Sequence, residues 1–138
     1  MPPAEAGPPP DDASISNEAM LWRRVPDYHF VPDASGGIRP SSAAFEDDPD
    51  GDPMSTVLAS PGRDPYAVLL GNDGWGLVAI PVSLVRELGW GVERRPVPDE
   101  ADHVVVIGAK KKSKCRQVAR ACTWVIPPPT MRGGTPRR

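Results

Sequence analysis

Residues 103–126, HVVVIGAKKKSKCRQVARACTWVI, decide how this chain reads as a fold. Val104 to Ile107 is an unbroken β-branched run, the composition of a central strand covered on both faces. Gly108 interrupts it. Beyond the glycine, Cys115, Val118, Ala119, Cys122 and Val125 fall at i, i+3, i+4, i+7 and i+10, a single apolar stripe at helical period. Pro127 ends that pattern. A buried strand feeding an amphipathic helix implies a sheet for the helix to lie across.

Working back from there, shorter elements alternate. Val92–Val97 alternates like a half-exposed strand, and Leu77–Ile80 reads as a buried one. Between them Pro81 opens a short helix that Gly89 closes. Asp64-Pro65 is a helix start, with Asp at the N-cap and Pro in the first turn, and Gly71 is its stop. Met54–Ala59 and Leu21–Val25 complete the strands. The stretch from Asp27 to Asp52, punctuated by Gly36, Gly37, Pro40, Pro49 and Gly51, is mostly irregular. The expected fold class is α+β, or a small α/β domain: a small mixed sheet with short helices and a C-terminal amphipathic helix. Residues 20–127 form the single compact domain. Residues 1–19 hold five prolines and, after Met1, one large apolar side chain, Ile15, and read as a disordered segment. Residues 128–138 read as a flexible basic tail.

Charge is distributed unevenly. The net charge is −2, but residues 1–60 carry −8 and residues 61–138 carry +6. Nine basic residues and no acid follow Ala109. That asymmetry points to an anionic partner at the C-terminal end, either nucleic acid or an acidic protein surface. No run approaches the roughly 18 apolar residues of a membrane span. The acidic N-terminus lacks the basic and apolar regions of a secretory signal. The expected setting is cytoplasmic, with no membrane partner.

Within the helix, Lys112, Arg116 and Arg120 are spaced i, i+4, i+8 and form a basic row opposite the apolar stripe. Like charges so placed destabilise an isolated helix by a few tenths of a kcal/mol each, roughly. Lys110, Lys112, Arg116 and Arg120 are the candidate anion-binding residues; the competing reading is a solvated face balanced by the acidic half. The turn at Gly108, Lys110 and Ser113 also has the strand–glycine–helix order of a phosphate site, without the P-loop motif. In the segment 36–53, Arg39 beside Ser41 and Ser42 has the make-up of a carboxylate or phosphate clamp. The expected role for Arg39 is nevertheless to anchor the loop against an acid of the N-terminal half. Asp48, Asp50 and Asp52 alternate as calcium ligands do, yet Pro53 stands where the EF-hand glycine belongs. A solvated acidic loop is the expectation. Cys115 and Cys122, two turns apart on one helix face, lie about 10.5 Å apart at 1.5 Å per residue. That exceeds the reach of a disulfide, so both read as buried, reduced thiols. No zinc spacing occurs, and neither a metal nor a cofactor is implied.

His103 and His29 are the natural general bases at neutral pH. The leading expectation is a non-catalytic accessory module that contacts its partner through the basic helix. The alternative is a small nucleotide-handling enzyme with Arg39, Ser41, Ser42 and His103 around one cleft. Convergence of Arg39 and His103 in one pocket separates the two. Across residues 21–127 the wording LWRRV…RPSSAAFED…PMS…HVVVIG…WVIPP resembles small bacterial proteins of uncharacterised function, which brings no activity to carry over. ADP-ribosyltransferase-like folds use an early Arg or His, a central Ser or Tyr, and a late Glu. Arg24 or His29, Ser55 and Glu93 stand in that order, although the surrounding motifs differ.

Overall fold

The computed structural model describes residues 8–131 as an α+β domain. Eight strands form in chain order: β1 (Met20–Val25), β2 (Phe30–Pro32), β3 (Ile38–Pro40), β4 (Met54–Leu58), β5 (Gly76–Pro81), β6 (Gly91–Arg94), β7 (His103–Ile107) and β8 (Thr123–Ile126). Three α-helices accompany them: α1 (Pro65–Val68), α2 (Val82–Glu87) and α3 (Lys112–Ala121). Six strands make one sheet in the order β6-β7-β4-β1-β5-β8, while β2 and β3 pair as a separate ribbon. β7 is thus an inner strand, but β4 and β1 hold the centre.

The expected mixed sheet is corrected, because every pairing is antiparallel. The helical crossovers explain this. α2 carries the chain from β5 to β6, and α3 carries it from β7 to β8. Each crossover joins strands of like direction, but three other strands lie between them. No two strands of like direction are neighbours, so no parallel ladder arises.

Both crossovers pack on one face. Val82, Val85 and Leu88 of the α2 region and Cys115, Val118 and Ala119 of α3 share a core with Leu21, Val25, Met54, Val78, Ile80, Val104 and Val106. The opposite face carries a smaller cluster of Val57, Val68, Leu69, Leu77 and Ile126. There only the one-turn α1 gives partial cover, capped as its sequence implies by Asp64 accepting from Tyr66 N at 3.0 Å. A sheet with one face closed by helices and the other left mostly open has room for a site on the open side.

Two further expectations are corrected. The stripe that was expected to stay helical through Val125 stops at Ala121, and Thr123–Ile126 pairs with β5. The β-branched and aromatic run Thr123-Trp124-Val125 favours strand over helix once an edge is available. Residues 27–52 also contain order the glycines concealed: the β2–β3 hairpin closes through Gly36 at φ 96° and Asp33 N–H donating to Gly37 O at 2.9 Å. The ribbon then docks on β8, where Trp124 Nε1 donates to Ile38 O at 3.1 Å and Phe30 meets the indole edge-on.

The N-terminal segment is the largest revision. Residues 1–7 and 132–138 lie outside the described residues, as does most of the expected tail. Residues 8–19, expected to be disordered, lie against the domain. Ile15 is 2% exposed within the main core. Asp12 N–H donates to Val92 O at 2.7 Å, and the Asp11 and Asp12 carboxylates meet Arg86 and Arg94 at 3.2 Å. Gly91 is required beneath this strap, since a Cβ there would lie 1.9 Å from Pro10 O. One apolar anchor suffices because burying an isoleucine contributes about 1.5–3 kcal/mol. An exposed pair such as Arg86–Asp11 adds less than about 1 kcal/mol.

The strap makes a direct prediction. Ile15→Ala should lower the urea midpoint, by about 2 kcal/mol or more of stability; an unchanged midpoint would show that the segment does not pack. The thiols make a second. Both cysteines are free, Cys115 buried and Cys122 half-buried. Burial pushes the Cys115 thiol up and the Cys122 thiol to about 12. Native labelling at pH 8 should therefore be slow and should accelerate sharply on unfolding; rapid native labelling would mean that α3 does not seat on the sheet.

Candidate functional site

The structure divides the expected site residues between two surfaces. On the helical side, Arg39 of β3 lines a shallow groove with Arg116 and Arg120 of α3, closed by Trp124 and Asp33. Periodicity explains the helix part: Cys115, Val118 and Ala119 bury one face, which turns Arg116 and Arg120 outward. Arg116 and Arg120 are exposed, and no ion pair engages them or Arg39 among the described residues. Arg39 Nη1 donates only to Pro40 O, at 3.2 Å. Arg39 is therefore not the acid-anchored loop residue it was expected to be. Asp33 is occupied by the Ser35 hydroxyl at 2.6 Å.

Lys110 stands apart from this row. Its ammonium donates to Asp47 at 2.8 Å, Val106 O at 2.8 Å and Gly108 O at 2.9 Å, and only 4% of the side chain is exposed. It also lies 5.1 Å from the centre of the Trp90 ring. The phosphate-site reading of the 108–113 turn fails for the same reason. Trp90 fills the space over Gly108, where a Cβ would lie 2.5 Å from the indole, and its Nε1 donates to Ala109 O. Lys112 is exposed on the basic face of α3.

His103 lies on the other face, in a cavity of about 710 Å³ that Arg39, Ser41 and Ser42 do not line. The grouping of Arg39, Ser41, Ser42 and His103 around one cleft therefore has no geometric basis. What the cavity assembles instead follows from strand register. Val57 pairs with His103 and Ser55 with Val105, so Ser55 and His103 are diagonal neighbours on one face. His103 Nε2 lies 3.2 Å from Ser55 Oγ, and its Nδ1 lies 2.8 Å from Arg95 O. A carbonyl only accepts, so the neutral imidazole carries its proton on Nδ1 and leaves Nε2 to accept from the serine.

Trp22, opposite Val57, and Arg24 extend from β1 onto the same face. Arg24 Nη1 donates to Val68 O at 2.9 Å, and burial lowers the pKa of its guanidinium. The rim is apolar and open: Tyr28, Leu70 and Val97 are 75%, 71% and 43% exposed. Leu70 has φ 55°, the one positive value outside glycine among the described residues. His29 also lines this cavity, its ring tilted against that of Tyr28 with centroids 4.7 Å apart. Glu93, third in the ADP-ribosyltransferase order, pairs with Arg95 at 2.6 Å and does not line the cavity.

Trp22, Trp75 and Leu70 escaped the sequence reading as site residues. The available signal was the polar content of inner strands: Arg24 and Ser55 at alternate positions of β1 and β4 mark a face that is not packed. Asp48, Asp50 and Asp52 do bring carboxylate oxygens within 4.8 Å of one another, on an exposed turn. The Asp50 carboxylate accepts the turn's own Asp52 N–H.

Comparison with family models, with curated proteins and with solved structures finds no match. No helix among the described residues is long and apolar enough to cross a membrane.

The turn behind His103 is held by Arg63, which donates to both carboxylate oxygens of Glu100 and to Asp102 at 3.3 Å. The guanidinium holds the Glu100 carboxyl below its ordinary value. A carboxyl depressed on folding stabilises the native state above its unfolded pKa, near 4.5. That contribution is lost as pH falls through the lowered folded value. The wild-type urea midpoint should therefore fall more steeply below pH 4.5 than that of Glu100→Gln. Parallel curves would mean that the pair does not hold the turn.

Proposed function

We propose that the protein is a small binding module that takes an anionic partner, nucleic acid or an acidic protein surface, in the groove between β3 and α3. The observation that carries this reading is the convergence of Arg39, Arg116 and Arg120 from two separate elements on one groove, three guanidinium groups against the single carboxylate of Asp33, with no ion pair to any of them among the described residues. A solvated helix face explains Arg116 and Arg120 alone. It gives no reason for a third guanidinium from the ribbon to line the same groove. Arginine forks match phosphate and carboxylate oxygens bidentately, and the half-buried Trp124 offers a flat surface beside them. Lys112, one turn before Arg116, extends the row.

Like charges held together lower stability slightly, and an anion relieves that repulsion. Affinity should be salt-dependent, since each neutralised phosphate releases counterions. Arg116→Glu with Arg120→Glu should abolish retention on heparin and duplex DNA while circular dichroism stays unchanged. Single reversals should flatten the log–log salt dependence on duplex DNA by about one unit per lost contact. If an acidic protein is the partner, DNA retention is weak and an acidic polypeptide such as poly-glutamate is retained instead, with the same loss on reversal. Wild-type protein that shows no salt-sensitive retention on either polyanion near physiological ionic strength would end this reading.

A further inference from the structure

We propose that the cavity on the open sheet face is an esterase site in which Ser55 is the nucleophile and His103 its general base, acting on uncharged esters with an apolar acyl group. The inference is independent of the basic groove, which lies on other elements.

Three features of a nucleophilic centre are present together. The serine hydroxyl is within hydrogen-bond reach of the imidazole, 3.2 Å from Nε2. The imidazole is oriented by a third group, Arg95 O, 2.8 Å from Nδ1. That contact fixes the tautomer in which Nε2 accepts the serine proton, the logic shared by nucleophile–base–orienter sites. Arg95 O is itself placed by the sheet, because Arg95 N–H donates to His103 O at 2.9 Å. Ser55 and His103 are both half-buried, so the pair is reachable from the cavity.

The surroundings set the substrate class. Trp22, Trp75 and the exposed Leu70 and Val97 offer an apolar lodging for the acyl chain. The carboxylates of Glu46, Asp48 and Asp99 lie around the same cavity and disfavour an anionic substrate. Arg24 shares the face of β1 that adjoins Ser55, with one nitrogen held by Val68 O. Its remaining N–H groups are the donors available to a developing oxyanion.

The reaction runs in two balanced halves. Ser55 Oγ forms a bond to the ester carbonyl carbon as its proton passes to His103 Nε2. The carbon–alkoxy bond then breaks, and the departing alcohol takes that proton. A water molecule, deprotonated by the same nitrogen, adds to the acyl-serine. The carboxylic acid leaves and Ser55 regains its proton.

The test uses the full chain with a fluorophosphonate probe and p-nitrophenyl butyrate. The expected result is a stoichiometric adduct on the peptide containing Ser55, no adduct there in Ser55→Ala, and butyrate hydrolysis reduced at least about 100-fold in both Ser55→Ala and His103→Gln. Absence of labelling, labelling elsewhere, or labelling at Ser55 that His103→Gln does not slow overturns the proposal. Should either variant fail to fold, nitrogen NMR of the wild-type imidazole decides: the Nδ1–H tautomer is expected, and the Nε2–H tautomer overturns it.

Discussion

The guanidinium of Arg23 is enclosed where the centre of the sheet meets the turn that follows the β2–β3 ribbon. Nε donates to Ala44 O at 2.6 Å, Nη1 to Ser55 O at 2.7 Å and Nη2 to Glu46 O at 3.4 Å. Among the described residues no carboxylate bonds to it directly. Burial lowers its pKa to about 10, against the more distant charges of Asp48 and Asp47, so it stays protonated at neutral pH. A buried cation is costly unless its donors are satisfied, and here backbone carbonyls satisfy them. Removing the donors would leave those carbonyls bare, at about 1–3 kcal/mol for each one buried. The 42–45 turn held this way is the seat of α3, where Cys115 Sγ donates to Phe45 O at 3.3 Å. Arg23 therefore ties the turn beneath α3, which no ladder joins to the sheet, to β1 and to the β4 backbone at Ser55.

The same junction explains why the two surfaces diverge. α2 and α3 both cross the sheet on the face that carries Leu21, Val25, Val104 and Val106, and their apolar residues cover it. Residues of the opposite parity, Trp22, Arg24, Ser55, Val57 and His103, meet only α1 and loops. A polar, wall-lined cavity is what remains of an inner sheet face that no long crossover covers. The basic groove lies where the β2–β3 ribbon meets the outer side of the helical layer. The acidic half of the chain is spent unevenly across these parts: Asp11, Asp12 and Asp47 take Arg86, Arg94 and Lys110. Arg39, Arg116 and Arg120 are left over. The basic excess of the C-terminal half thus becomes local excess in one groove.

Much of the architecture was legible because its signals are local. Asp64-Pro65, Pro81, Gly89 and the Val104–Ile107 run each specify their element within a few residues, and α+β follows from their alternation. What could not be read depends on contacts far apart in sequence. Nothing near Thr123 says that β5 offers an edge, so the helix stripe ran on too far. Nothing in a proline-rich, acidic segment says that Arg86 and Arg94 wait for Asp11 and Asp12 some 75 and 82 residues later. Lys110 read as an anion-binding candidate from its place among the lysines at the start of the helix, yet Asp47, 63 residues away, claims it. The Ser55–His103 pair is a register product; neither residue stands out in its own strand, and only the β4–β7 alignment brings them together.

Leu70 supplies the last link between local strain and the open face. A left-handed φ costs a leucine on the order of 1–2 kcal/mol relative to glycine, and Gly71 stands beside it where the chain could turn freely. The side chain is mostly in water, so burial does not repay the strain. The surrounding turn is over-determined: Asn72 N–H and Nδ2 both donate to Leu69 O, at 3.0 and 2.9 Å. Those bonds hold the backbone in place and leave the isobutyl group standing at the cavity rim beside Trp75. The strain at Leu70 is thus held by the hydrogen bonds of its turn and not by burial, and it leaves an apolar group exposed at the mouth of the cavity on the open sheet face.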